Sequence, residues 1–382
     1  MNSAASGAAQ NPGPFAKWPW LGMLALNSLI AVGLYSYKLY YNIPGEAYTQ
    51  LLADYHFGFI KRALVGAAVG VAFPILPVWS PYVIGTGVWL LTFGLFLALF
   101  RRTFGFRREN LPLLIFIGGS PFFLKNFIQA LGYYDIFGCA AALILLLLPA
   151  RSWLYVGVAI VMAIALNTIH HIQMLLYIPT ITTIVIVRFY LVQQRRVRLA
   201  DIIGGCIVLA FIGCLFLFMQ FFGTVTVPLA EFSSYLQSRM QNPALQNYLS
   251  PSIFYRTLGD EIRSTWTIMP KNLARLPVYA ALLACHIPLL RYFMTSLRDL
   301  GTTHRQFIIA AIAGISLCYL IVFAIVFDYS RWLSSWFNCM ILMLFTTQLL
   351  LSERRQIADS KSTRRFGWAV TLIPRVGTTI PF

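Results

Sequence analysis

Apolar runs of membrane length recur along the whole chain, near residues 20–41, 63–79, 82–100, 111–124, 136–149, 153–169, 172–190, 203–222, 277–294, 307–327 and 332–351. A helix of about 20 such residues, rising about 1.5 Å each, matches the thickness of a bilayer's hydrocarbon core. The runs are too long and too uniform for barrel strands, which alternate polar and apolar residues. Composition agrees: 59% of the chain is hydrophobic and 11% charged, against about 25% charged in soluble domains, and mean hydropathy is +0.72. The expected fold is an all-α polytopic transmembrane bundle of about 10–12 spans with one ordered extracytoplasmic loop. The short runs at 111–124 and 136–149 predict helices that stop inside the bilayer and line a cavity. The expected organisation is a disordered N-terminal tail over 1–18, a bundle over 19–352 that includes a loop at 223–276, and a cytoplasmic basic tail over 353–382.

The net charge of +17 is not a nucleic-acid footprint, which needs a contiguous basic face. The cations lie in short clusters between apolar runs: Arg101, Arg102, Arg107 and Arg108; Arg188, Arg195, Arg196 and Arg198; Arg291, Arg298 and Arg305; Arg354, Arg355, Lys361, Arg364 and Arg365. These loops fall on one side with Arg151, and the charge bias makes that side cytoplasmic. Membrane lipids are therefore expected partners and nucleic acid is not. The opposite side carries 125–135, 167–171, 223–276 and 328–331. Strict counting places 42–62 inside. A break in 63–79 at Pro74 and Pro77 places it outside and the N-terminus inside, which is the count preferred here. The six cysteines all lie in apolar runs and read as small buried hydrophobes.

Within 223–276, Ser250 followed by Pro251 predicts an amphipathic helix running to Met269 and stopped by Pro270. On that helix Arg256, Asp260 and Arg263 share one face, with Phe254 and Trp266 toward the membrane.

Acidic residues are scarce. Glu46, Asp54, Asp135, Glu231, Asp260, Glu261 and Asp328 fall on the outer side, and Asp135 and Asp328 sit at the edges of apolar runs, where an unpaired carboxylate is costly. Four constellations follow. Asp54, His56, Lys61 and Arg62 precede a span: the acid suits a base and the cations suit a phosphate, although the stretch also reads as an interfacial helix. Ser120-Pro121 and Tyr133-Tyr134-Asp135 flank an irregular segment. His170 and His171 end a span; as neighbours they point about 100° apart, and no third zinc ligand accompanies them. Asp328 and Arg331 share a tight turn, as a salt bridge or as a cation offered to an anion. There is no P-loop, dinucleotide fingerprint, HExxH or GxSxG. No protein metal site is predicted; use of a divalent cation stays open, and no other cofactor is expected.

Together, the acid before Gly58-Phe59-Ile60-Lys61-Arg62, the Ser-Pro and Tyr-Asp pairs, the histidine at an outer helix end and the late Asp–Arg turn resemble bacterial envelope-glycan membrane enzymes: C-type integral-membrane glycosyltransferases and O-antigen or exopolysaccharide polymerases. The resemblance implies a multi-pass protein of the bacterial inner membrane and a sugar donor linked to a polyprenyl phosphate or pyrophosphate. It implies Asp54 as the base, with Asp135, His170, His171 and Asp328 as further catalytic candidates. Lys61, Arg62, Arg256, Arg263 and Arg331 are the phosphate-binding candidates. The chain lacks a paired acid beside Asp54 and a C-terminal soluble domain, and both departures favour the polymerase type.

The expected chemistry is inverting glycosyl transfer in which cations stabilise the departing phosphate more in the transition state than in the ground state. The rival is a transporter or flippase for an anionic lipid-linked or small substrate, which broken helices in two matching halves would favour; a third class is a non-catalytic membrane subunit. The expectation that joins these residues is that Asp54, Asp135, the histidines, Arg256 and the Asp328–Arg331 turn converge on one outer cavity.

Overall fold

The computed structural model describes residues 18–326 and 328–355, and its regular structure is helical apart from one parallel bridge between Leu76 and Met240. The tail expected over 353–382 lies outside the described residues from 356 onward, as does the N-terminal tail up to residue 17. Chain order begins with α1 (Trp18–Tyr41), α2 (Gly45–Leu52), α3 (Leu64–Ala72) and α4 (Ser80–Thr103). Next come α5 (Leu111–Gly118), α6 (Leu124–Gln129), α7 (Asp135–Leu147) and α8 (Trp153–Ile169). A four-residue turn α9 (Gln173–Leu176), α10 (Ile178–Ile186) and α11 (Leu199–Phe222) lead to α12 (Leu229–Ser238) and α13 (Leu258–Ala274). The described chain closes with α14 (Leu276–Cys285), α15 (Ile287–Arg298), α16 (Thr302–Ile325) and α17 (Tyr329–Arg355).

By length and composition four of these can cross a membrane: α4, α11, α16 and the Tyr329–Ser352 part of α17. The pair α14 and α15, bent by 55° at its junction, makes a fifth if counted as one span. This falls short of the expected 10–12 full-length spans because helix breakers divide the apolar runs. Phe73 to Pro77 ends α3 after 9 residues, Gly119-Ser120-Pro121 separates the short α5 from α6, and Pro149 follows α7. The multi-pass character remains, carried by several long apolar helices and a set of half-length pieces.

Burial ranks the long helices. The apolar window of α17 is 83% buried and that of α11 is 11% buried, so α17 is the central post and α11 lies on the perimeter. Cys339, Met343 and Phe345 of α17 pack into one core with Phe96 and Phe100 of α4, Leu145 and Leu146 of α7, and Ile181 and Ile184 of α10. The perimeter helices expose Ile203, Ile207, Phe211, Leu317 and Leu320, as expected for surfaces solvated by lipid.

Contacts at the helix ends sort the loops. Arg102 donates to the Leu147 carbonyl at 2.7 Å, Arg188 to the Leu145 carbonyl at 2.8 Å, and Arg195 to the Arg151 carbonyl. The ends of α4, α7, α8 and α10 thus gather at one basic end. At the opposite end the Lys61 amide donates to the Gly223 carbonyl at 2.9 Å, Tyr82 to the Asn42 carbonyl at 3.0 Å, and Tyr133 to Glu46 at 3.1 Å. Segment 42–62 therefore shares an end with 223–276, as in the preferred count.

That end carries a cap with its own apolar core of Tyr48, Leu51, Leu52, Phe232, Leu236 and Phe254, contributed by α2, α12 and the turn Pro251–Phe254. The helix expected over 251–269 is instead a single turn followed by α13. Thr257 forms a reciprocal capping box with Asp260, its hydroxyl accepting the Asp260 amide at 3.2 Å and its own amide donating to the carboxylate at 3.0 Å. This satisfies two amides at once and sets the start of the helix there. Pro270 lies inside α13, where its ring removes one intrahelical bond without ending the helix. Phe254 faces the cap core and not a membrane, while Trp266 is exposed. Arg256 precedes α13, so it does not share a helical face with Asp260 and Arg263. Thr265 fastens α13 to the bundle by donating to the Ile325 carbonyl at 2.6 Å.

Candidate functional site

Beneath the cap, short helices bring polar residues from distant parts of the chain into apolar surroundings. Asp135 opens α7 and is 2% exposed, and its Oδ2 lies 3.1 Å from Arg331 Nε at the start of α17. The contact is an ion pair by distance without hydrogen-bond alignment: both Asp135 oxygens and Arg331 Nε lack a hydrogen-bond partner. Asp328 lies 3.5 Å from the same nitrogen. The Arg331 guanidinium sits over two aromatic faces, 4.9 Å from the centre of Tyr133 and 4.4 Å from that of Trp332, an arrangement that suits a planar, weakly hydrated cation.

His170 and His171 lie where α8 gives way to extended backbone, with ring centres 5.7 Å apart. Both are buried, and the Nδ1 of each has no hydrogen-bond partner. Arg62 lies within electrostatic range of Tyr134, Asp135, His170 and His171. Its backbone has φ +67°, a left-handed conformation that costs a non-glycine residue roughly 1–3 kcal/mol and clusters at functional sites. Its Nε is buried without a partner, and its ion pair is a loose 3.7 Å contact with Glu261 of α13. Lys61 is fully buried, donates to the Arg256 carbonyl at 2.7 Å and lies 4.0 Å from the same Glu261 oxygen. Burial pulls its ammonium down from 10.5 to about 8, against the opposing attraction of Glu261.

The chain therefore brings together Asp135, His170, His171, Asp328, Arg331, Arg62 and Lys61. Arg256 takes part through its backbone carbonyl, and Arg263 is exposed on α13. Asp54 belongs to the cap. Its Oδ2 accepts from the Tyr235 hydroxyl at 2.6 Å and from Arg239 Nη1 at 2.7 Å, and its Oδ1 accepts the His56 amide at 2.9 Å. Burial, together with the hydrogen bond to Asp54, holds the Tyr235 phenol up at about 12. Arg239 also donates to the Leu52 carbonyl at 2.5 Å, so the pair is a clamp joining α2, the segment after it and α12. Cations and acids balance in the cluster: Arg331 is matched by Asp135 and Asp328, and Lys61 with Arg62 by Glu261.

Sequence reading passed over Arg239, Gln173 and Asn338. Gln173 donates to the Tyr134 carbonyl at 3.2 Å and Asn338 to the Tyr177 hydroxyl at 3.4 Å, and each keeps an unpartnered buried amide oxygen. Both are amides inside apolar runs, and that placement is the sequence signal that marks them. A crevice beside the cluster, touching Ala47, Gly85, Gly132, Tyr133 and Tyr134, has room for about one water. Among the described residues no group of three or more His, Cys, Asp or Glu is arranged to hold a metal ion.

No family model matches the chain, and no match to it was found among curated proteins or solved structures. The site is therefore read from its own chemistry.

Proposed function

We propose that this chain is a membrane glycosyltransferase or polysaccharide polymerase using a polyprenyl-phosphate-linked sugar donor in envelope glycan synthesis. One observation carries the reading: buried polar atoms without hydrogen-bond partners on Arg62, Asp135, His170, His171 and Arg331 gather at the end opposite the basic loops. An unpartnered buried polar atom costs about 1–3 kcal/mol, and ionisable groups at this depth are functional by default. A substrate that is anionic at one point and hydroxyl-rich at another supplies the missing partners.

On this reading the basic end faces the bacterial cytoplasm and the cap is extracytoplasmic. The chain passes ten times between the ends: in α1, α4, α5 with α6, α7, α8, α9 with α10, α11, α14 with α15, α16 and α17. Arg62, Lys61 and Arg331 hold the donor phosphate. The acceptor hydroxyl attacks the anomeric carbon as the bond to the phosphate oxygen breaks, and the lipid phosphate leaves with the bonding pair. The hydroxyl proton passes to Asp135, whose hold on Arg331 loosens when phosphate takes the guanidinium, or to His170 or His171. A dry pocket strengthens each of these contacts. Substituting Arg62 or Arg331 by Ala is expected to abolish glycan product in a cell-based or reconstituted assay at unchanged protein level; full activity in both variants rejects the mechanism.

A specific feature supports the transporter alternative. The 55° bend between α14 and α15 faces the break between α5 and α6, and Ser120 and His286 join the two by a 2.9 Å hydrogen bond. Opposed broken helices suit a carrier. Uptake or flipping of a labelled lipid by purified protein in vesicles, without any glycan product, decides for that reading.

A further inference from the structure

Glu261 stands out because its carboxylate is the ion-pair partner of two cations and yet hydrogen-bonds to neither. One oxygen, Oε1, lies 3.7 Å from Arg62 Nη2 and 4.0 Å from Lys61 Nζ. These separations exceed the 2.7–2.9 Å typical of a charge-assisted N–H···O bond. Lys61 is fixed by other means, by the Arg256 carbonyl at 2.7 Å and by its own amide on the Gly223 carbonyl at 2.9 Å. Arg62 has a left-handed backbone and a buried Nε that has no hydrogen-bond partner. Two cations converging on one oxygen at a loose distance form a cradle that a tetrahedral, multi-oxygen anion fills better than a single carboxylate.

The carboxylate reaches this position from the cap. Glu261 lies in the first turn of α13, which the Thr257–Asp260 capping box starts and the Thr265 contact with Ile325 ties to the bundle. Lys61 is fully buried while the Arg62 and Glu261 side chains are 15% and 16% exposed, so a headgroup that takes both cations displaces Glu261 from them. Other groups around the two cations are Asp260, Arg256 and the histidine pair, and of these Asp260 is committed to Thr257.

Resting on the phosphate-binding reading above, we propose that Glu261 is a built-in stand-in for a substrate phosphate: it occupies the Lys61–Arg62 cradle in the closed protein and is exchanged for a phosphate or diphosphate group on binding. The exchange releases the first turn of α13 and couples headgroup binding to opening of the cap. Glu261 is thus a positioning residue and touches no reacting atom.

The test uses full-length protein in nanodiscs of fixed composition, comparing wild type, Glu261→Gln and Arg62→Ala. Three probes are used: a polyprenyl phosphate, the matching polyprenol without phosphate, and inorganic diphosphate. Glutamine keeps the shape and removes the competing charge, so Glu261→Gln is expected to bind the phosphate lipid about tenfold more tightly than wild type and Arg62→Ala to lose it, with no binding of the polyprenol. Diphosphate competing equally well identifies the free anion as sufficient; failure to compete assigns the site to the lipid-borne group. Hydrogen exchange over 258–265 should rise in wild type on binding and be already raised in Glu261→Gln. Binding that Arg62→Ala abolishes but Glu261→Gln leaves equal or weaker overturns the role of Glu261 and leaves the phosphate site standing. Absence of phosphate-lipid binding in wild type and variants overturns the phosphate reading and this inference with it.

Discussion

Replacing Arg239 by Ala should loosen the cap while leaving the buried cluster intact. The side chain is 8% exposed and donates to the Asp54 carboxylate at 2.7 Å and the Leu52 carbonyl at 2.5 Å, with longer 3.5 Å contacts to the Pro74 and Gly66 carbonyls. Removing one partner of a buried ion pair costs about 3–5 kcal/mol. Asp54 keeps the Tyr235 hydroxyl and the His56 amide, and its side chain is 22% exposed, so water recovers part of that sum and about 3 kcal/mol is expected. By the scaling of soluble domains to a chain of 382 residues this lowers the unfolding midpoint by about 4 °C, readable by thermal unfolding of purified protein in detergent. Asp54→Asn keeps an acceptor for Arg239 and should cost about 1 kcal/mol. A base role for Asp54 gives the reverse pattern, with activity lost at full stability. An Arg239→Ala protein that melts with wild type refutes the clamp and returns Asp54 to the list of candidate bases.

The Lys61 ammonium, lowered to about 8 in the fold from 10.5, makes stability depend on pH. Between these two values the unfolded chain holds more protons, so stability should rise with pH from about 8 to 10.5, by at most roughly 3 kcal/mol, and be insensitive to this group below about 7. Denaturation across that range should show the slope in wild type and not in Lys61→Met; an equal slope in both refutes it. Gly85→Ala places a methyl 2.6 Å from the Gly132 amide nitrogen. Forcing α4 off the turn before α7 should cost about 2–3 kcal/mol and weaken phosphate-lipid binding by moving Tyr133 and Asp135. Wild-type stability and binding in this variant refute that close approach.

Much of the helical architecture is legible in the sequence because apolar run length and cation clusters are local signals. The basic clusters do mark helix ends that meet, and the turn holding Asp328 and Arg331 lies where two apolar runs part. Span count is less legible, since Gly119-Ser120-Pro121 and the α14–α15 junction break runs whose hydropathy is continuous. Within the site, Asp135, His170, His171 and Arg331 are visible as polar groups at the edges of apolar runs, where their cost is local. Asp54 illustrates the limit: its neighbours promise a phosphate site, but its partners Tyr235 and Arg239 lie about 180 residues away in sequence. Only tertiary contact shows that they satisfy its carboxylate. Glu261 is similar, an ordinary first-turn acid on α13 until the fold sets it against Lys61 and Arg62.

The central claim is that a lipid-borne phosphate docks in the cluster beneath the cap. The most direct measurement is photo-crosslinking of a polyprenyl phosphate that carries a photoreactive group next to the phosphate, followed by peptide mapping of the adducts on full-length protein in nanodiscs. Adducts are expected at Arg62, Tyr133 and Trp332, lost on competition with unlabelled phosphate lipid. Adducts confined to the basic end, around Arg102, Arg151 and Arg195, or to the break at Ser120 and His286, would contradict it.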